Sequence, residues 1–277
     1  MTLPVLSCSI VLYNNSMDML AQAIGSVLQC PMVQHLYLVD NSPQPLFSEP
    51  FEDNRIEYIF TNNNRGYGAG HNIALQKSME AQIPYHLVLN PDVYFDAGTL
   101  EVLLNYLAAH PKVGNIMPKV LYPDGSLQYL CKLLPTPYDW IGRRFNPFKS
   151  MVAKRNQLFE LKFTGYKDIM EVPYLSGCFM LLNIAALRDT GLFDERIFMY
   201  GEETDLCRRL IKAGYQTIFH PGATIYHAFA KGSHRSRKLT MIGMQSAVYY
   251  FNKWGWFLDK ERRTINQRTL SLLGYKP

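Results

Sequence analysis

Short apolar, β-branched runs alternate with stretches of helical apolar spacing through the first 110 residues, and this alternation leaves few folds open. "VLSCSIVLY" (5–13) is one such run; Asn14, Asn15 and Ser16 follow it, then "MDMLAQAIGSVLQ" with apolar residues three and four apart. That order reads as strand, loop, helix. "HLYLVD" (35–40), "RIEYIF" (55–60) and "HLVLN" (86–90) read as further strands, with helical patterns at 69–80 and 98–109. Strands alternating with helices imply a mostly parallel α/β sheet covered on both faces. Open sheets of this kind bind ligands beyond the C-terminal ends of their strands. Asp40, residues 62–70, Asn90 and Asp92 all fall at such ends, so they are candidates for one crevice.

The second half is less regular. Residues 132–162 hold Pro135, Pro137, Pro147 and the Arg143, Arg144 pair, and read as a long irregular or mobile segment. "EVPYLSGCFMLLN" returns to strand, "IAALRDTG" to a short helix ending at Gly191, and "GEETDLCRRLIKAGY" to an amphipathic helix with an acidic first turn.

Composition narrows the class. With 277 residues, 48 % of them hydrophobic and 18 % charged, the chain can bury a core of its own. The five cysteines are scattered without a CxxC pair, which points to reduced thiols packed in the core rather than zinc or disulfides. No stretch of about 18 apolar residues is present, nor an N-terminal run with a basic flank, which predicts a cytoplasmic protein. Charge is unevenly placed. Residues 228–277 hold ten Lys or Arg against Asp259 and Glu261, a net of +8, so the first 227 carry −3 of the overall +5. Lys and Arg beside Tyr, Phe and Trp suit a helix lying on an anionic membrane, and equally a basic face whose aromatics pack on the core. No recognition motif accompanies this charge, so no nucleic-acid partner is expected.

Several motifs could carry chemistry. "NRGYGAGHN" (64–72) has three alternating glycines, suited to a sharp turn or a phosphate, but it is not the dinucleotide fingerprint, because His71 stands where a glycine is needed. Asp92 reads as a helix cap or turn residue, or as a cation ligand. Glu202, Glu203 and Asp205 suit the first turn of a helix, yet adjacent carboxylates also push one pKa toward the range of a general base. His227 follows the strand-like "ATIY".

Taken in order, "SIVLYNN", "LVDNS", "NRGYGAGHN", "LNPDVYF", the long stretch from Ser176 to Tyr215, and "HPGATIYH" resemble the family-two glycosyltransferases of GT-A fold, particularly their bacterial rhamnosyltransferase-like branch. The resemblance implies a GT-A catalytic domain over 1–227, with a nucleotide-sugar part at about 1–125 and an acceptor part at about 165–227, followed by a basic, aromatic, helical extension over 228–277. It implies an inverting, metal-dependent hexosyltransferase. Asp92 corresponds to the last acid of the family's DxD motif; Asn90 replaces the first, offering a carbonyl oxygen without charge. With His227 as a second ligand, the expected cofactor is Mn²⁺ or Mg²⁺. Asp40 would accept the imide N–H of a uracil or thymine, and Leu12, Tyr13 and Asn14 would flank the base. Asn64, Arg65, Gly66 and Gly70 would border the diphosphate and sugar. Glu203 would be the base, with Glu202 the alternative, and Asp205 would organise the helix start. The expected partners are a dTDP- or UDP-sugar and a saccharide acceptor on a polyprenyl diphosphate, in O-antigen or surface polysaccharide synthesis. dTDP-L-rhamnose is the first expectation, with Gal, Glc, GlcNAc or Galf on UDP as alternatives. A catalytically silent sugar-binding or scaffolding protein is the reading from another class.

Overall fold

The computed structural model describes residues 4–228 and 236–276, without the side chain of Arg144. The opening run is strand β1 (Leu6–Leu12), nearly all buried, as a central strand covered on both faces requires. Helix α1 (Met17–Leu28), strand β2 (Val33–Asp40), strand β3 (Ile56–Phe60), helix α2 (Tyr67–Glu80) and strand β4 (Tyr85–Leu89) follow. These four strands lie in the order β3-β2-β1-β4 and are all parallel. The order reverses at β1, so the C-terminal ends of β1, β2 and β4 open on one edge, where such sheets hold ligands.

Short strand β5 (Val93–Tyr94), helix α3 (Thr99–Ala109), strand β6 (Val113–Leu121) and short strand β7 (Cys131–Lys132) come next. A single π-helical turn (Tyr138–Gly142), α4 (Arg143–Phe145) and α5 (Lys149–Phe159) then occupy the stretch expected to be irregular, and correct that expectation. Only Phe159 of α5 is buried, so apolar periodicity could not reveal the helix. Asp139 fixes the segment instead: its carboxylate accepts from Thr136 (N, 3.0 Å; Oγ1, 2.6 Å) and from Arg155 of α5 (Nε, 2.6 Å; Nη2, 2.7 Å).

After short strands β8 (Met170–Glu171) and β9 (Tyr174–Leu175), strand β10 (Phe179–Asn183) enters the sheet between β4 and β6, antiparallel to both. The sheet is therefore mixed, although its long ladders are mainly the parallel ones. Because β10 runs backwards, the residues before it, Ser176 to Cys178, start at the ligand edge, where Asn90 N donates to Cys178 O (2.9 Å). Helix α6 (Ile184–Thr190), helix α7 (Glu202–Lys212) and strand β11 (Gln216–His227) complete this part.

Helices α8 (Arg237–Trp254) and α9 (Lys260–Leu272) pack back onto it. Tyr250 and Phe251 are buried against Trp140. Arg208 of α7 is 1 % exposed, forks onto Asp259 (2.6 and 2.8 Å), reaches Glu261 (2.8 Å), and stacks on Trp254 at 4.4 Å. Leaving either member of such a buried pair alone costs about 3–5 kcal/mol, so the extension is fixed to the rest of the molecule. Of the two readings of the tail, the packed one describes these aromatics; Lys231, His234 and Arg235 lie outside the described residues. Asp205 serves this docking rather than a helix cap. Fully buried, it accepts from Trp254 Nε1 (2.8 Å), Lys253 Nζ (2.7 Å) and Arg209 Nε (2.8 Å), while the N-cap of α7 is Gly201. Among the described residues no helix is long and apolar enough to cross a membrane.

Candidate functional site

A cavity of about 760 Å³ opens at the ligand edge, and Asn90, Asp92, Glu202, Glu203 and His227 all line it. Chain order explains the meeting. Asp92 leaves β4, Glu202 and Glu203 start α7, and His227 ends β11, whose pairing with β5 and whose Ala228 N–H···O=C Asp92 bond (2.9 Å) set it beside the aspartate.

His227 Nε2 lies 3.3 Å from Asp92 Oδ1. Its Nδ1 lies 3.1 Å from Gln128 Oε1, and Gln128 Nε2 donates to the His227 carbonyl (2.8 Å), so Gln128 fixes both ring and backbone. Burial works against charging this imidazole, but the Cys178 sulfur and the Asp92 carboxylate outweigh it and push the pKa up to about 10. Two ligand atoms bound to one cation at about 2.0–2.2 Å stand roughly 3 Å apart. The observed separation is therefore that of a pair sharing a cation or, without one, a proton. Among the described residues no group of three or more His, Cys, Asp or Glu side chains forms a complete metal cage. A cation here would have two protein ligands, as suits one whose remaining positions go to substrate phosphates and water.

Asn90 lines the cavity, but its carbonyl oxygen faces Tyr67, whose hydroxyl is shared between Asn90 Oδ1 (2.9 Å) and the Gly177 carbonyl (2.7 Å). Burial, then the nearby Glu202, raise the Tyr67 phenol well above its ordinary pKa, so it stays a donor. Asn90 thus joins α2, through Tyr67, to the loop before β10.

The two glutamates are unequal. Glu203 Oε2 accepts from Gly201 N (2.9 Å) and Oε1 from the Tyr174 hydroxyl (3.1 Å), two bonds that fix its direction. Glu202 is 4 % exposed, and its Oε2 has no hydrogen-bond partner among the described residues. Burial, with the Glu203 charge beside it, raises Glu202 well above the usual carboxyl range.

The remaining expected site residues lie outside the cavity lining, around the ends of β1 and β2. Asp40 is fully buried, and its oxygens already accept from Ser42 N (2.9 Å), Leu46 N (2.9 Å) and Tyr58 Oη (2.5 Å). In this structure these bonds hold the 42–46 loop to the end of β2. Leu12 is buried with its carbonyl accepting from Asn41 N (2.9 Å); Asn14, at φ 52°, donates to Ser42 Oγ (2.9 Å); Tyr13 is half exposed. Arg65 is paired with Glu195 (2.6 Å), and Asn64 Oδ1 accepts from Gly66 N (3.1 Å). The glycines serve close backbone packing. A Cβ on Gly66 (φ 99°) would sit 2.2 Å from the Phe198 carbonyl, and one on Gly70 would sit 2.8 Å from the Val11 side chain. Neither is among the residues lining the cavity.

Sequence reasoning missed Gln128, Tyr67 as a linker, and a buried chain in which His71, Ser9, His86, Ser7 and Ser78 are joined at 2.7–2.9 Å. Both histidines of that chain are held below their ordinary pKa by burial, His86 to about 3.

Comparison with known proteins agrees with this architecture. The family description Glycosyl transferase family 2 matches residues 7–191. An N-acetylglucosaminyl-diphospho-decaprenol L-rhamnosyltransferase of Mycobacterium tuberculosis is 28 % identical over 228 residues, covering 76 % of this chain and 72 % of that protein. Rhamnosyltransferase WbbL of Escherichia coli K12 is 28 % identical over 177 residues, covering 62 % of this chain and 63 % of its own length. Among solved structures, GalNAc-T7 with UDP, GalNAc and Mn²⁺ superposes with a TM-score of 0.58 at 14 % identity, over 81 % of this chain and 43 % of that one. A mannosyltransferase of Pyrobaculum calidifontis with GDP-Man and Mn²⁺ gives 0.56 at 13 % identity, over 98 % and 75 %. This chain thus spans less than half of GalNAc-T7, and at such identities the likeness concerns the GT-A fold alone. The chain belongs to glycosyl transferase family 2, in its rhamnosyltransferase-like branch, and is a glycosyltransferase.

Proposed function

We propose that this glycosyltransferase moves a sugar, with inversion, from a nucleoside diphosphate donor to a saccharide on a diphosphate-linked lipid, in the synthesis of O-antigen or another surface polysaccharide. dTDP-L-rhamnose is the proposed donor. One observation carries the reading: Asp92 with His227, and Glu203, line the same cavity at the strand ends. Glu203, aimed by Tyr174 and Gly201, takes the proton of the acceptor hydroxyl as that oxygen bonds to the anomeric carbon and the sugar–phosphate bond breaks. Asp92 and His227 would hold Mn²⁺ or Mg²⁺, which supplies charge to offset the leaving diphosphate. Tyr67 and Asn90 keep the two sides of the cavity in register.

The proposed relation to the membrane is peripheral. Phe145, Phe148 and Met151 are 66, 65 and 59 % exposed beside Lys149, and Phe257 and Leu258 are 72 and 87 % exposed beside Lys260. Apolar side chains flanked by cations suit an anionic bilayer surface. Flotation with phosphatidylglycerol vesicles is expected to carry the protein up at low salt, with release at about 0.5 M salt by screening; protein left at the bottom at every salt concentration removes the membrane contact.

Asp92→Ala is expected to abolish stimulation of donor turnover by Mn²⁺, lowering the rate about 10²–10³-fold, as loss of a main electrostatic stabiliser does. The rate against Mn²⁺ concentration checks it; an unchanged metal response would move the cation elsewhere.

A further inference from the structure

The cavity has a second charged region that the donor chemistry leaves unused. Lys132, Arg143 and Lys162 line it, from β7 and from the segment 138–164, on elements separate from those that carry Asp92 and His227. Glu160 pairs with Lys162 (2.9 Å) and Arg143 (3.5 Å), and the Glu203 carboxylate also acts on Lys132 from farther off. Arg143 is further held by the Asp139 carbonyl (2.7 Å) and Asn156 Oδ1 (2.6 Å) and lies 4.7 Å over Phe159; Lys162 lies 4.5 Å over Tyr129. Lys132 differs. Among the described residues its ammonium has no ion pair within 4 Å and no hydrogen bond, only the face of Tyr174 at 5.3 Å. Burial lowers its pKa, and Glu160 only partly offsets this. A partly buried cation without a hydrogen-bonded counter-charge is costly, and an anion placed beside it relieves that cost. A recess of about 130 Å³ shares Lys132 and Arg143 with the cavity and gives room for such a group. The Tyr174 ring under Lys132 also bears the hydroxyl that aims Glu203, so an anion on Lys132 would lie close to the base.

We infer that Lys132, with Lys162 and Arg143, forms a second anion subsite in the cavity that binds the phosphate groups linking the acceptor saccharide to its carrier. This rests on the proposed transfer to a phosphate-linked acceptor, and it specifies where that acceptor is held. Lys162 and Arg143 share one ion-paired carboxylate, Glu160, while Lys132 has no ion pair among the described residues, so the three cations keep a capacity that a phosphate group can meet. The donor diphosphate, by contrast, is proposed to meet Asp92 and His227 through a metal.

The test is calorimetric titration of inorganic pyrophosphate and of geranyl diphosphate into the full chain in EDTA. Wild type is expected to bind both. Lys132→Met is expected to bind at least tenfold more weakly, the loss of a charge-assisted hydrogen bond (about 1.5–3 kcal/mol) converted to affinity, and Lys132→Arg to retain most of the binding. Asp92→Ala is expected to bind within about twofold of wild type, because the subsite does not use the donor-side carboxylate. Should Lys132→Met fold poorly, Lys162→Gln takes its place, with a loss of several-fold. Equal affinity in wild type and the lysine variants, a collapse of binding in Asp92→Ala, or no binding by wild type would overturn the subsite. Failure of the parent reading shows separately, as a wild type that binds pyrophosphate through Lys132 but no nucleotide sugar with Mn²⁺.

Discussion

Glu203→Gln is expected to lower kcat by about 10²–10⁴-fold, the contribution of a positioned general base, while the KM for the donor stays within about threefold. The base acts only as the acceptor oxygen forms its new bond, so its loss falls on the transition state rather than on donor binding. Glutamine keeps the shape that meets Tyr174 and Gly201 but cannot take a proton. Glu202→Gln is the contrast, expected to keep most of the activity, because Glu203 rather than Glu202 is the carboxylate aimed by Tyr174 and Gly201, while burial and the Glu203 charge raise Glu202 above the usual carboxyl range. Its effect falls on stability. A carboxyl whose folded pKa is raised gives its full stability at low pH and loses it as pH rises through that raised value. The Gln variant has no such loss, so its Tm is expected to exceed that of wild type by a margin that widens with rising pH. Steady-state kinetics with thermal melts at several pH values decide the matter. A Glu203→Gln enzyme of full activity beside an inactive Glu202→Gln would exchange the two roles.

Gly66→Ala is expected to destabilise the protein by about 3–5 kcal/mol, in the range of the most disruptive single substitutions, and to lower Tm by roughly 10 °C. Two causes act together. Gly66 sits at φ 99° and ψ 178°, a region closed to other residues, and the added methyl carbon would stand 2.2 Å from the Phe198 carbonyl oxygen, which is backbone and cannot rotate away. That same carbonyl accepts from Tyr67 N (2.9 Å), so relief of the clash withdraws Tyr67 from Asn90 and Gly177 and loosens the cavity. Gly98 at φ 86° provides a control, because a Cβ there meets nothing within 4 Å and its replacement by Ala costs about 1 kcal/mol. A melt of Gly66→Ala matching that of Gly98→Ala would show that the close approach to Phe198 does not hold the site.

What could be read from the chain follows from the range of the forces involved. β1, β2 and β4 are buried on both faces, so their composition alone marks them as strands. Asp92, Glu202 and Glu203 were legible because each sits at the end of an element with a strong local pattern. Helix α5 was not, because it is fixed by Arg155 and Asp139 rather than by an apolar stripe. Ser7 and Ser9 disappear inside an apolar run, although both point at His86. Gln128 and Lys132 owe their roles to His227 and Tyr174, partners far along the chain. The position of Asp40 at a strand end was legible, but its bond to Tyr58, a partner on the next strand, was not.

The central claim is that the Asp92 and His227 pair and the Glu203 carboxylate act on one sugar carbon from opposite sides, the diphosphate leaving toward the first as the acceptor arrives past the second. The anomeric configuration of the transferred sugar tests this most directly, read from the one-bond C–H coupling of the new linkage by NMR. The arrangement predicts a product of configuration opposite to the donor. A product that keeps the donor's configuration would contradict it.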